Sequence, residues 1–200
     1  MNIELIYVGL YSYILGTIPF GLIITKIFLK IDIRKIGSGN IGATNALRAG
    51  NKTLGAATLI LDGFKGYASI ILTTVFFPSY TSGTSIIFFS ALLCLLGHIF
   101  PIWLKFKGGK GIAVYLGILF GISINLGLIF IISWIIVLYF TKYSSLSSLI
   151  STLIIFLYSS FLYNFNISLF FFIIFIIIIY THRENISRIK NKTENKINFS

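Results

Sequence analysis

The sequence predicts an all-α, polytopic integral membrane protein with seven transmembrane helices, its N-terminus outside and its C-terminus in the cytoplasm. Three observations carry this. Of 200 residues, 56% are hydrophobic and only 10% are charged, where a soluble domain carries about 25% charged residues. The apolar residues fall in runs long enough to cross a bilayer. The charges gather in alternate connections, as the positive-inside rule requires. No long polar linker divides the chain, so residues 1–189 are expected to form one membrane domain and residues 190–200 a basic polar cytoplasmic tail.

The first span covers residues 5–29. Glu4 is the only early charge, so this stretch lacks the basic start of a cleavable signal and reads as a retained helix. Gly16, Thr17 and Gly21 suit close helix packing, and Pro19 predicts a kink. Residues 30–53 form a polar, basic, glycine-rich loop. Residues 54–77 are the second span, with Asp62 and Lys65 spaced to share one helical face, where they can neutralise each other; charges near membrane depth mark either a site or a structural pair. A short uncharged connection, 78–85, leads to the third span at 86–104, which ends in Gly-His-Ile-Phe-Pro and Trp103. The loop 105–111 comes next.

Residues 112–140 are too long for one span, for which about 20 residues suffice. Gly121, Ser123, Asn125 and Gly127 interrupt the run at its middle, which predicts two short helices with a tight turn near residues 123–125. With that turn, every Lys and Arg except Lys65 falls on one side of the membrane; without it, Lys142 and the tail cross over. A third loop spans 141–148. The last spans, 149–163 and 167–180, are joined by 164–166. The tail from Lys190 reads as a solvated or headgroup-touching charge run.

The sixteen basic residues against five acidic ones give a net charge of +11. In a polytopic chain this follows first from topology, and second from attraction to anionic lipid or a phosphorylated substrate. Nucleic acid is not an expected partner. Cys94 is the only cysteine, which excludes a disulfide framework and a cysteine metal cluster. The acids form no two-metal carboxylate pair, and His98 and His182 fit no HExxH pattern, which argues against a metal enzyme. His98 reads as a satisfied helix-end residue.

What remains is a set of anion receptors. Residues 37–45, Gly-Ser-Gly-Asn-Ile-Gly-Ala-Thr-Asn, combine three glycines with four hydrogen-bonding side chains. Glycine lets backbone N–H groups turn inward to a concave anion site, and Arg48 offers a bidentate phosphate clamp. Ser38, Asn40 and Asn45 are candidate donors to substrate. Gly108-Gly109-Lys110-Gly111, preceded by Lys107, leads straight into a helix whose first N–H groups favour an anion. The spacing is not that of a nucleotide P-loop. His182 and Asn185 share a face if the last helix continues to Ser187; His suits a general base and Asn can orient it. Glu184, between Arg183 and Arg188, reads as an ion-pair partner. Ser145 is a further hydrogen-bonding candidate in the third loop.

These blocks, Gly-Ser-Gly-Asn-Ile-Gly-Ala-Thr-Asn with Arg48, Phe-Lys-Gly-Gly-Lys-Gly, and His-Arg-Glu-Asn-Ile, resemble the three signature segments of the bacterial acyl-phosphate:glycerol-3-phosphate acyltransferase family. Asp62-Gly-Phe-Lys-Gly and Gly97-His-Ile-Phe-Pro fit the same resemblance, which runs nearly end to end. Thr17 and Ser147 stand where the family has Ser and Ala. The resemblance implies that a fatty acyl-phosphate arrives from the bilayer and sn-glycerol 3-phosphate from the cytosol, and that the glycerol 1-hydroxyl takes the acyl group with release of phosphate. It implies catalytic roles for Ser38, Arg48, His182 and Asn185. It gives substrate-binding roles to Asn40, Asn45, Lys107, Gly108, Gly109, Lys110, Gly111 and Ser145, with no cofactor. Its expected partners are the two substrates, membrane lipids, the enzyme that makes acyl-phosphate and the next acyltransferase. The expected location is the bacterial cytoplasmic membrane, with the active site facing the cytoplasm. The rival class is a transporter of a phosphorylated or anionic solute, which predicts broken helices at the midplane and symmetry between chain halves.

Overall fold

A computed structural model describes residues 3–49, 51–78 and 85–197. Among them all regular structure is helical, and it falls into two compact units, Met1–Ile122 and Ser123–Ser200. Residues 79–84 of the expected connection at 78–85 lie outside the described residues.

The first unit contains α1 (Ile3–Thr17), α2 (Phe20–Leu29), a 3-10 turn (Ile33–Lys35), α3 (Ala43–Arg48), α4 (Lys52–Phe76), α5 (Ser85–Ile99), a second 3-10 turn (Ile102–Leu104) and α6 (Ile112–Ile122). The expected first span is broken after Thr17. Proline has no N–H and drives the residue before it out of helical geometry, so the ladder stops at Ile18 and restarts beyond Pro19. α4 begins two residues before its expected start because Asn51 caps it, its side chain accepting from the Leu54 N–H at 2.9 Å. α5 ends ahead of Pro101 for the same reason that α1 ends ahead of Pro19.

Glycines set how closely these helices approach. A Cβ on Gly16 would stand 2.1 Å from the Cys94 carbonyl oxygen, and one on Gly97 would stand 2.3 Å from that of Tyr13, so α1 and α5 meet backbone to backbone. α4 and α6 do the same through Gly66 and Gly117, whose added Cβ would lie 2.2 Å from Val114 O and 1.8 Å from Gly63 O. In a bilayer, where burial from water does not drive helices together, such contact and polar bonds between helices carry the association. The bonds are present: Ser90 Oγ lies 2.8 Å from Ser12 Oγ and 2.7 Å from Ser69 Oγ, and Tyr11 pairs with Thr73. Cys94 is buried and free among these helices.

The second unit contains α7 (Ile124–Thr141), α8 (Ser144–Leu162), α9 (Phe165–Thr181) and α10 (Arg183–Lys190). The helix break expected near 123–125 is at Ser123, which is extended (φ −161°, ψ 131°). The loop expected over 141–148 is shorter. Only Lys142 and Tyr143 lie between helices, and Ser145 sits in the first turn of α8. Serine hydroxyls can bond back to carbonyls one turn earlier, as Ser148 does to Ser144 O at 2.9 Å, so a serine-rich run that reads as a loop is accommodated in a helix. Trp134 of α7 donates to Ser148 Oγ at 3.1 Å and ties the two helices. Asn164 caps α9 by accepting from the Ile167 N–H.

Among the described residues, five helical segments are long and apolar enough to cross a membrane, and six if α9 and α10, bent by 61°, count as one. The expected count of seven therefore rests on α6. Its 11 residues rise about 16 Å, short of a hydrocarbon core of about 30 Å.

Candidate functional site

The loop ahead of α4 has its own apolar floor. Leu22, Ile33, Ile41 and Ala46 form a buried cluster, and Leu104, from the turn that opens the second loop, packs against it. Gly21 lets the loop lie directly on α2, since a Cβ there would stand 1.9 Å from Ile41 O. Asp32 caps the 3-10 turn and holds the Arg34 guanidinium at 2.6 Å; that hydrogen bond keeps the Asp32 carboxyl well below the usual carboxylate range.

Asn45 organises the loop beyond that turn. Its Nδ2 lies 2.8–3.0 Å from the carbonyl oxygens of Ile33, Ile36 and Asn40, and its Oδ1 accepts from the Ser38 N–H at 3.1 Å. Expected to hold substrate, Asn45 has its polar atoms engaged by the loop backbone; what it holds is the loop's shape. Gly37 and Gly39 turn with φ of +57° and +69°, and a Cβ on Gly37 would meet Asn45 Oδ1 at 2.4 Å. This wrapping leaves Ser38 and Arg48 exposed at the loop surface. Asn40 Oδ1 is buried with no hydrogen-bond partner among the described residues.

The second loop differs from its expected form. The N–H groups of Gly108 and Gly109 do not point outward to an anion; they donate to Ile99 O and His98 O, both at 3.0 Å. They thereby satisfy carbonyls that the end of α5 leaves without helical partners. Both positions exclude a side chain, because a Cβ on Gly108 would lie 2.0 Å from His98 O and one on Gly109 would lie 2.1 Å from His98 Nε2. The anion-receptive groups are therefore the first N–H groups of α6, which begins just after Gly111. Lys107, in the same loop, is exposed. Lys105 and Phe106 are consecutive non-glycine residues at positive φ, a conformation that costs free energy and is concentrated at functional loops.

In the second unit, His182 is the hinge between α9 and α10, where the expected straight continuation gives way to the 61° bend. Its Nδ1 lies 2.9 Å from Ile178 O. A carbonyl can only accept, so Nδ1 carries the hydrogen and Nε2 is the basic nitrogen of the neutral ring. Asn185 is one turn on, and both residues are buried. Ser145 and Asn185 both donate to Glu194 Oε1, at 2.8 and 2.7 Å, while Arg188 holds Glu194 Oε2 at 2.7 Å. Burial works to raise the Glu194 pKa, but these three partners outweigh it and hold the carboxyl below its ordinary value.

The tail expected to be a solvated charge run is thus folded back. Besides Glu194, the Ile197 N–H donates to Lys142 O at 2.8 Å. Glu184 makes only a 3.9 Å contact with Arg188, whose shorter partner is Glu194. The one signal in the sequence for Glu194 is that it stands as a lone acid in a basic tail.

The sequence profile of the glycerol-3-phosphate acyltransferase family matches residues 6–192. The chain belongs to the glycerol-3-phosphate acyltransferase family. Relatives carrying that name include one from Pelagibacter ubique, 58% identical over 96% of this chain and 97% of its own length, and one from Mesorhizobium japonicum, 45% identical over 98% of both. Among solved structures, PlsY (YgiH), an integral membrane glycerol 3-phosphate acyltransferase, matches in its glycerol 3-phosphate form with a TM-score of 0.90 at 34% identity, over 97% of this chain and 96% of that one. Its lysophosphatidic acid form matches with a TM-score of 0.87. The family's likeness spans both loops of the first unit and the His182 hinge of the second.

Proposed function

We propose that this protein transfers a fatty acyl group from acyl-phosphate to the 1-hydroxyl of sn-glycerol 3-phosphate, giving 1-acyl-sn-glycerol 3-phosphate and inorganic phosphate at the cytoplasmic face of a bacterial inner membrane. One observation carries the reading. The solved relative PlsY is known in a glycerol 3-phosphate form and a lysophosphatidic acid form, which are the acceptor and the product of a single acyl transfer.

In this reading the glycerol oxygen bonds to the acyl carbon, the bond from that carbon to the phosphate oxygen breaks, and phosphate leaves. The donor is already activated, so positioning and charge neutralisation supply the acceleration. Ser38, Arg48 and the amide of Asn40 meet phosphate or glycerol oxygens from the first loop, with Asn45 keeping that loop in shape. Lys107, Lys110 and the start of α6 after Gly111 neutralise the second phosphate, with Gly108 and Gly109 bringing the loop down onto α5. Asn185 and Ser145 orient the acceptor, and its proton goes to His182 Nε2 or to the phosphate it faces.

The test is purified protein with palmitoyl phosphate or palmitoyl-coenzyme A as donor and glycerol 3-phosphate as acceptor. Lysophosphatidic acid and phosphate in equal amounts from the first donor alone support the reading. Product from the thioester, or glycerol 3-phosphate flux in proteoliposomes with no lipid product, overturns it.

A further inference from the structure

Asp62, Lys65 and His98 take no part in the chemistry above, yet they are 2%, 1% and 5% exposed inside apolar helices of the first unit. Ionisable groups at such depth are costly, so their arrangement calls for a reason. Lys65 Nζ lies 2.8 Å from Asp62 Oδ1. It also donates to Ile18 O at 2.6 Å and to His98 Nδ1 at 3.0 Å. A Lys–Asp pair one turn apart on a helix could neutralise itself without either of these further contacts.

The contacts lead to the two loops. Ile18 O belongs to the break between α1 and α2, where a carbonyl loses its helical partner, and α2 carries Gly21, on which Ile41 of the first loop rests. His98 O takes the Gly109 N–H, and the His98 ring lies so close beneath Gly109 that no methyl group fits. One buried ammonium therefore fixes both the start of the helix under the first loop and the imidazole floor of the second.

We propose that Asp62, Lys65 and His98 are positioning residues that set the height of residues 107–110 against the start of α6, and so the affinity for a phosphate-bearing substrate. The proposal rests on the reading of that loop as a phosphate site, and the test separates the two. Gly109→Ala should raise KM for a phosphate-bearing substrate by roughly tenfold or more, with kcat changed far less, since misplacement of a binding group acts on affinity and alignment. His98→Asn combined with Gly109→Ala should recover most of that KM. An asparagine oxygen can accept from Lys65 in place of Nδ1, while the ring atoms beneath position 109 are gone. Asp62→Asn with Lys65→Met removes both charges together; it should insert and unfold thermally like the parent but keep a raised KM.

An unchanged KM for both substrates in Gly109→Ala overturns the phosphate reading itself. A raised KM that His98→Asn does not lower overturns positioning through His98. A stable Asp62→Asn, Lys65→Met protein with parental KM overturns the role of the buried pair. If that protein does not insert, the pair at 98 and 109 decides the matter.

Discussion

Arg48 and His182 are the residues whose loss should be felt most in turnover. Arg48 is exposed at the end of α3. Arg48→Ala should lower kcat/KM by on the order of a hundredfold with unchanged membrane yield, measured as phosphate release per unit of purified protein. His182→Ala should cost a comparable factor if Nε2 takes the proton, on the order of a hundredfold or more, and far less if the substrate phosphate does. Beside Asp32, Glu194 carries part of the acid side of the pH dependence. Its folded pKa lies below the ordinary 4.5, so the contacts with Ser145, Asn185 and Arg188 are complete above that ordinary value and are lost as pH falls through the lowered one. Thermal unfolding against pH should show a loss on the acid side that Glu194→Gln reduces, the remainder coming from Asp32, and no change from Glu194 near neutrality. Ser38, Asn40, Lys107 and Lys110 were legible as site residues because each sits in a short glycine-rich block. The duties of Asn45, Gly108 and Gly109 were not, since their partners are carbonyls and an imidazole that only the folded chain brings to them.

The helices show where local chemistry decides and where neighbours do. Pro19 and the small residues around Ser123 interrupt the apolar runs, and both breaks could be read from sequence because they follow from backbone sterics. The start of α8 could not, because serine suits a loop and the first turn of a helix equally well. The bend at His182 was also hidden, since nothing in Tyr-Thr-His-Arg forbids a straight helix. Helix contact gives a paired prediction. A Cβ at Gly117 would lie 1.8 Å from Gly63 O, while one at Gly63 itself meets only Ala113 O at 3.6 Å. Gly117→Ala should lower stability by about 1–3 kcal/mol through overpacking, and Gly63→Ala should be neutral or stabilising, as thermal unfolding in detergent would record.

At the scale of the molecule, composition alone was enough to place the chain in a membrane as a helical protein, because 10% charge leaves no means of covering a soluble surface. The number of spans was less legible, since α6 is too short to cross by itself and its status depends on what surrounds it. The proposed topology puts the basic loops on one face and Ser123 on the other. A cysteine introduced at Ser123 should react with an impermeant reagent added outside; labelling only from the inside would remove the seven-span arrangement and with it a common cytoplasmic face for the loops. The proposed activity stands on the glycerol oxygen attacking the acyl carbon. Heavy-oxygen-labelled glycerol 3-phosphate, carrying the isotope at its 1-hydroxyl, should be turned over with palmitoyl phosphate and both products weighed by mass spectrometry. The label should appear wholly in the ester of lysophosphatidic acid; an unlabelled ester, label in a doubly phosphorylated glycerol, or no acylated product at all would contradict it.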